Sequence, residues 1–169
     1  LEAAPGVTFL ARLAQTFHRA GLAPLAVIGA HAEAIRRAHS GIPLVLNPRW
    51  PEGQLSSVRV GLRAALGQGA ERILIHPVDA PFLSPATAAR VLEALDTGLV
   101  ILPTFEGQEG HPLGLVAAAA RRVLTSPATT LAAAAGGLRP TRLPIDDPAA
   151  LDHLHLPRDL RRRAPKARR

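Results

Sequence analysis

The chain has no cysteine, methionine or tyrosine among its 169 residues, and its aromatic side chains are four phenylalanines and one tryptophan. Without cysteine, a disulfide framework and thiolate chemistry are excluded. The same absence is typical of a reducing compartment, and we expect a cytoplasmic protein. Because the chain begins at Leu1 and contains no methionine, we also expect the encoded protein to have residues upstream of Leu1.

Long hydrophobic runs are missing as well. No stretch approaches the roughly 18 consecutive apolar residues of a membrane-spanning helix, so we expect no membrane partner. The hydrophobic share of 47% is that of a globular protein, and the length is sufficient for one domain with a buried core.

Positive charge is in excess, but it is concentrated at one end of the chain. The formal net charge is +7, and residues 158–169 carry seven basic side chains against one acidic side chain. The rest of the chain is therefore almost neutral. We predict an α/β domain over residues 1–157 and a solvated basic tail over residues 158–169. Because the basic charge lies in this tail, nucleic acid is not an expected partner.

Apolar runs alternate with segments of helical periodicity. Short apolar strands are predicted at residues 24–29, 42–46, 72–76, 99–102 and 141–145. Helices are predicted at residues 8–20, 32–38, 55–66, 85–95, 116–124 and 129–135, with another near Arg158. Apolar strands separated by helices are typical of a parallel sheet covered on both faces. We predict an α/β, Rossmann-like three-layer fold with a mostly parallel sheet.

Asp79 is the candidate metal-binding residue. It follows the apolar strand at residues 72–76 and lies between Pro77 and Pro81, so it projects from the carboxyl end of a strand, where such sheets bind ligands. Magnesium is bound by carboxylate oxygens together with substrate phosphates and water. The alternative is that Asp79 only caps a turn before the next helix.

Two glycine-containing loops are further candidates for ligand binding. In the first, Gly53 precedes Ser56 and Ser57 at the start of a helix, where backbone N–H groups and hydroxyls are suited to a phosphate or a base. The alternative is a simple helix cap. In the second, the segment from Gly107 to Pro112 presents His111 to a ligand.

His153 and His155 stand two residues apart near the end of the predicted domain. In an extended segment they face the same side and are candidate metal ligands, although two histidines alone do not make a zinc site. His76, at the end of an apolar strand, is predicted to be a neutral, packed histidine.

An ordered set of short motifs resembles one family, the nucleotidyltransferases that add CMP or GMP to molybdopterin. The motifs are Thr8-Phe-Leu, Ala20-Gly-Leu, Val27-Ile-Gly, Asn47 with Trp50, Gly53-Gln-Leu-Ser-Ser57, Gly61-Leu62, Pro77-Val-Asp-Ala-Pro81 and Gly110-His-Pro112. The similarity as a whole covers residues 1 to about 160.

The resemblance implies a nucleotide-diphospho-sugar transferase type of fold and Mg²⁺-dependent nucleotidyl transfer from CTP or GTP to a phosphorylated acceptor such as molybdopterin. By position, Asp79 matches the family's metal-binding aspartate. Gly53, Ser56 and Ser57 match the nucleotide pocket, and His111 matches the loop near the acceptor. His153 and His155 stand where the family has an acidic segment that provides a second metal ligand.

The family also opens with a strand and a glycine-rich loop carrying Arg and Lys, which binds the triphosphate. Leu1 to Thr8 resembles the segment that follows this loop, so we expect the loop upstream of Leu1. Two other functions stay open: a non-catalytic relative that binds a nucleotide or a protein partner, and a nucleic-acid binder that acts through the tail. The sequence does not distinguish CTP from GTP or indicate an oligomeric state.

Overall fold

The computed structural model describes residues 2–4 and 6–154. Its strands are β1 Glu2–Ala4, β2 Val7–Thr8, β3 Ala26–Ile28, β4 Leu44–Leu46, β5 Arg72–Ile75, β6 Val100–Phe105, β7 Gln108–Glu109, β8 Leu113–Val116 and β9 Thr141–Pro144. Its helices are α1 Phe9–Arg19, α2 Ala32–Ala38, α3 Gln54–Gly67, α4 Pro85–Ala94, α5 Ala117–Thr125 and α6 Leu131–Gly136. Short 3₁₀ turns occupy Trp50–Glu52 and Pro148–Leu151. The predicted helix near Arg158, the basic tail and His155 lie outside the described residues.

The strands form a mixed arrangement. β3 pairs in parallel with β4, and β6 pairs in parallel with β9. Between β5 and β6 lies β8, which runs antiparallel to both, and β7 forms a hairpin with β6. The sequence prediction missed β8 because its four residues run without a break into the apolar start of α5, and Val116 falls in the predicted helix.

Helices cover both faces of the sheet. Leu62 of α3 and Val123 of α5 pack with Val100 in one apolar cluster. Val91 of α4 packs with Ile101 in a second cluster. Val100 and Ile101 are neighbours in β6, and successive strand residues point to opposite faces. The two clusters therefore mark two faces of one sheet, which gives the three-layer order.

Local signals in the sequence set several helix ends. The Thr8 hydroxyl accepts from Ala11 N–H at 3.1 Å at the start of α1, and the Ser84 hydroxyl accepts from Thr87 N–H at 3.1 Å at the start of α4. Asp147 adds a distant contact, since its carboxylate accepts from Ser84 N–H at 3.1 Å. Burial raises the pKa of Asp147, but the hydrogen bonds from Thr87, Ser84 and Ala149 outweigh it, so the net pKa is lowered.

A cavity of about 1160 Å³ lies between β3 and β5. Its apolar lining includes Val27 of β3, Leu74 of β5, Phe17 of α1 and Val58 of α3. Within the described ranges, β3 is paired through β4 and β5 through β8, so each has an edge that is not hydrogen-bonded to another strand there. The cavity thus separates two parts of the sheet.

No helix in the described part of the chain is long and apolar enough to cross a membrane.

Candidate functional site

Asp79 lies in the turn that follows β5 and lines the cavity. Two contacts fix the turn. The His76 ring donates from Nε2 to the carbonyl oxygen of Ala80 at 2.8 Å, and Leu154 N–H donates to the carbonyl oxygen of Asp79 at 2.8 Å. The Asp79 backbone is therefore held by a segment 75 residues further along the chain.

Three histidines lie in a row beside Asp79. The ring centroids of His76 and His111 are 6.0 Å apart, and those of His111 and His153 are 5.4 Å apart, in edge-to-face geometry. The structure therefore brings together the predicted residues Asp79, His111 and His153. It also adds His76, which sequence analysis treated only as a packed histidine.

Burial favours the neutral form of His76 and His111. It lowers the pKa of His76 to about 4, although the hydrogen bond to Ala80 and the charge of Asp79 act in the opposite direction. Burial also lowers the pKa of His111, and the neighbouring His153 lowers it further, against the attraction of Asp79. Since the carbonyl of Ala80 can only accept, the proton of His76 is on Nε2, and Nδ1 is a buried acceptor.

The loop that carries His111 is fixed by backbone contacts. His111 N–H donates to the carbonyl oxygen of Ala150 at 2.9 Å, and Gly110 N–H donates to that of Pro103 at 2.9 Å. A Cβ atom on Gly110 would lie 2.8 Å from the Ala150 oxygen, so a larger residue would push these two segments apart. The Gly110-His-Pro112 motif thus places His111 by its backbone as well as by its side chain.

Asn47 organises the second predicted loop. Its side chain is buried at 1% exposure, and Nδ2 donates to the hydroxyls of Ser56 and Ser57 at 2.9 and 3.0 Å. Its Oδ1 accepts from Arg49 N–H at 3.0 Å. In the sequence, Asn47 stands out only as part of a motif. Its place directly after an apolar strand is the available signal, because a polar residue that is buried there requires hydrogen-bond partners.

Ser56 and Ser57 have different surroundings. The Ser56 hydroxyl lies 2.8 Å from the carbonyl oxygen of Gly53 and 3.0 Å from that of Arg49, so its hydrogen stays within the loop. The Ser57 hydroxyl accepts from Asn47, so that bond does not use the hydroxyl hydrogen, and Ser57 lines the cavity with Asp79 and His111. Gly53 has φ 101°, a value that favours glycine, and it leads directly into α3.

The donor set suits magnesium better than zinc. Within residues 2–4 and 6–154 no group of three or more His, Cys, Asp or Glu side chains is placed to hold a metal ion, whereas structural zinc needs four such ligands. Magnesium is held by one or two carboxylates together with substrate phosphates and water. Asp79 fits that requirement, and His153, whose ring centroid lies 5.4 Å from that of His111, is the other predicted metal ligand within the described residues. Asp152, which sequence analysis did not select, is buried next to His153.

The model of one protein family covers most of the chain. The MobA-like NTP transferase domain matches residues 1–142. A molybdenum cofactor guanylyltransferase of Cereibacter sphaeroides is 41% identical over 64 residues, which are 38% of this chain and 33% of that protein. The match therefore spans about a third of the length of this curated relative.

Two solved structures share the fold over nearly the whole chain. A protein of Mycobacterium tuberculosis H37Rv, crystallised in complex with manganese, has a TM-score of 0.74 at 21% identity and covers 93% of this chain and 86% of that chain. A nucleotidyl transferase from Methanothermobacter has a TM-score of 0.74 at 24% identity and covers 94% of this chain and 80% of that chain. The predicted α/β, Rossmann-like fold of the nucleotide-diphospho-sugar transferase type is confirmed.

Proposed function

Because this chain belongs to the MobA-like NTP transferase domain family, we propose that it transfers CMP or GMP from CTP or GTP to a phosphorylated acceptor such as molybdopterin. The observation that carries the proposal is the common lining of the cavity by Asp79, Ser57 and His111. A carboxylate, a hydroxyl donor and a neutral imidazole there face one space large enough for a nucleotide.

The residues have separate roles in this proposal. The Asp79 carboxylate holds Mg²⁺, with His153 and His155 as further ligands. The metal, when bound, neutralises phosphate charge. Ser57 donates to a phosphate oxygen, Gly53 and Ser56 shape the start of α3, and His111 faces the acceptor.

The transfer needs no covalent intermediate on the protein. An anionic oxygen of the acceptor phosphate forms a bond to the α-phosphorus of the nucleotide, and the bond between the α-phosphorus and the bridging oxygen breaks. Pyrophosphate leaves with that electron pair. The protein's contribution is to position both phosphates and to stabilise the charge that develops on them.

The test compares Asp79→Asn with Asp146→Asn, a matched control because Asp146 is exposed. Calorimetric titration with CTP and GTP, with and without Mg²⁺, gives binding. Transfer of α-³²P label to molybdopterin, measured in the same variants extended upstream of Leu1, gives turnover. We expect Asp79→Asn to abolish Mg²⁺-dependent binding while circular dichroism stays unchanged, and Asp146→Asn to behave as wild type. Equal affinity in wild type and Asp79→Asn would contradict the metal role. Binding without transfer would instead support a non-catalytic relative.

A further inference from the structure

Three exposed apolar side chains lie at or just after the carboxyl ends of strands. In the part of the chain that the structure describes, the large hydrophobic residues with high exposure are Leu46, Trp50, Val78 and Leu99. Leu46 is the last residue of β4, Trp50 lies in the loop that follows it, and Val78 precedes Asp79. Three of the four therefore lie where α/β sheets bind ligands, and this apolar surface has no role yet in the proposed reaction.

Trp50 is held rigidly on the backbone that follows β3. A Cβ atom on Gly29 would lie 2.4 Å from Cβ and 2.5 Å from Cγ of Trp50, so the tryptophan packs where only glycine leaves space. The carbonyl oxygen of Trp50 accepts from Gly53 N–H at 3.1 Å, and Asn47 braces the same loop. The side chain nevertheless stays 48% exposed, so part of the indole is fixed in place and still faces solvent.

The loop that holds Trp50 leads directly into the nucleotide-facing residues. Gly53 is followed by Gln54 and, one turn later, by Ser57, and both Gln54 and Ser57 line the cavity with Asp79. Trp50 itself lies outside the cavity lining, four residues before Gln54. A ligand whose phosphates reach Ser57 and Asp79 would therefore have to extend its base out of the cavity towards this loop. Planar bases stack on aromatic side chains whatever their hydrogen-bonding pattern, and a surface that is already rigid loses little entropy on binding.

We propose that Trp50 is the stacking platform for the base of the nucleoside triphosphate. This inference rests on the proposed function, which supplies the phosphate end of the ligand. It adds a residue that binds the base, and it assigns Gly29 as the positioning residue that gives the indole its place.

The test uses the fluorescence of Trp50, which is the one tryptophan in the chain. GTP, CTP and tripolyphosphate are titrated into the wild-type protein with Mg²⁺. We expect GTP and CTP to quench the emission, because a base lies on the indole, and tripolyphosphate to leave it nearly unchanged while still binding in calorimetry. Quenching by molybdopterin but by neither nucleotide would overturn the proposal and point to the acceptor as the occupant.

Variants separate this inference from the proposed function. Trp50→Ala should weaken GTP and CTP binding by about five- to one-hundred-fold, the usual effect of losing one stacking contact, and leave tripolyphosphate binding unchanged. Gly29→Ala, which displaces the indole, should also weaken GTP and CTP binding. Trp50→Phe should bind both nucleotides more tightly than Trp50→Ala does. Leu99→Ala, at an exposed apolar site just before β6, is the matched control and should bind as wild type. If Trp50→Ala binds nucleotides as wild type does, Trp50 is not the stacking platform for the base, and the proposed function stands. If wild type binds no nucleotide, both fail.

Discussion

The backbone N–H of Leu154 donates to the carbonyl oxygen of Asp79 at 2.8 Å. Together with the bond from His111 to Ala150, this contact joins three loops that are far apart in sequence. Asp79, His111 and His153 are neighbours because of these backbone bonds, since their side chains come from different segments. The geometry of the candidate site therefore depends on the segment at residues 150–154.

The variant Leu154→Pro tests that dependence. It removes the N–H that holds Asp79, whereas Leu154→Ala removes the same buried side chain and keeps the N–H. Both variants should lose stability, by about 2–4 kcal/mol for the lost apolar packing. Only Leu154→Pro should also lower the affinity for Mg²⁺ with GTP or CTP, by about tenfold, measured by calorimetry at a temperature where both variants are folded. Equal affinities in the two variants would show that the bond to Asp79 does not position the site.

Asn47→Ala should be one of the more destabilising single changes in the second loop. The change removes two donated bonds and one accepted bond, and it leaves each of the half-buried Ser56 and Ser57 side chains with one hydrogen-bond partner fewer. At about 1 kcal/mol for each bond, we expect the free energy of unfolding to fall by roughly 2–3 kcal/mol, measured by urea denaturation. Ser57→Ala removes one of these bonds and should cost about 1 kcal/mol. A loss in Asn47→Ala no larger than that in Ser57→Ala would contradict the bracing role.

His76 should make the stability depend on pH in a defined window. Its folded pKa, about 4, is below the ordinary value near 6.5, so the unfolded chain takes up the proton first as the pH falls. The stabilisation is complete above about pH 6.5 and is lost as the pH falls towards 4. From pH 7.5 to 5 we expect a loss of about 2 kcal/mol.

The control for this window is a pair of matched variants. His76→Gln should remove most of the loss between pH 7.5 and 5, and His18→Gln, at an exposed helix position, should leave the loss as in wild type. The measurement is urea denaturation at each pH. A His76→Gln protein with the full wild-type loss would show that other groups cause the pH dependence.

The cavity between β3 and β5 predicts that a further strand adds there, supplied by residues upstream of Leu1, by a partner or by the tail. A protein extended before Leu1 by an apolar strand of about six residues and a glycine-rich loop with Arg and Lys should be more stable than residues 1–169. The strand should form ladder hydrogen bonds with the edges of β3 and β5 that face the cavity and fill the space between them, and it should leave the space beside Asp79, Ser57 and His111 to the ligand. We expect the extended protein to release pyrophosphate and the shorter one to release none.

An extension of equal length with serine in place of the apolar strand residues is the control. It should give neither the stability nor the turnover, as judged by thermal unfolding and a pyrophosphate assay. The cavity would not be a strand site if the apolar and the serine extensions gave the same melting temperature, or if residues 1–169 alone released pyrophosphate rapidly.

By itself the sequence determined the features that depend on neighbouring residues. Thr8 and Ser84 cap helices because their hydroxyls reach an N–H three residues on, and Gly21 takes the left-handed conformation, with φ 76°, directly after α1. The apolar runs at β3, β4 and β5 predicted buried strands; the strands form, but of their residues only Ile28 is fully buried. The position of Asp79 after β5 follows from the same local pattern.

The tertiary structure decided which distant segments meet. Sheet register decides the antiparallel insertion of β8. Backbone hydrogen bonds between loops decide the contact of Leu154 with Asp79 and that of His111 with His153. The periodicity of apolar residues does not predict these contacts, because it indicates which face of a helix or strand is buried and not which other element packs on that face. Asn47 shows the same division: its sequence position follows a strand, but its role depends on the two serines that the fold places beside its amide.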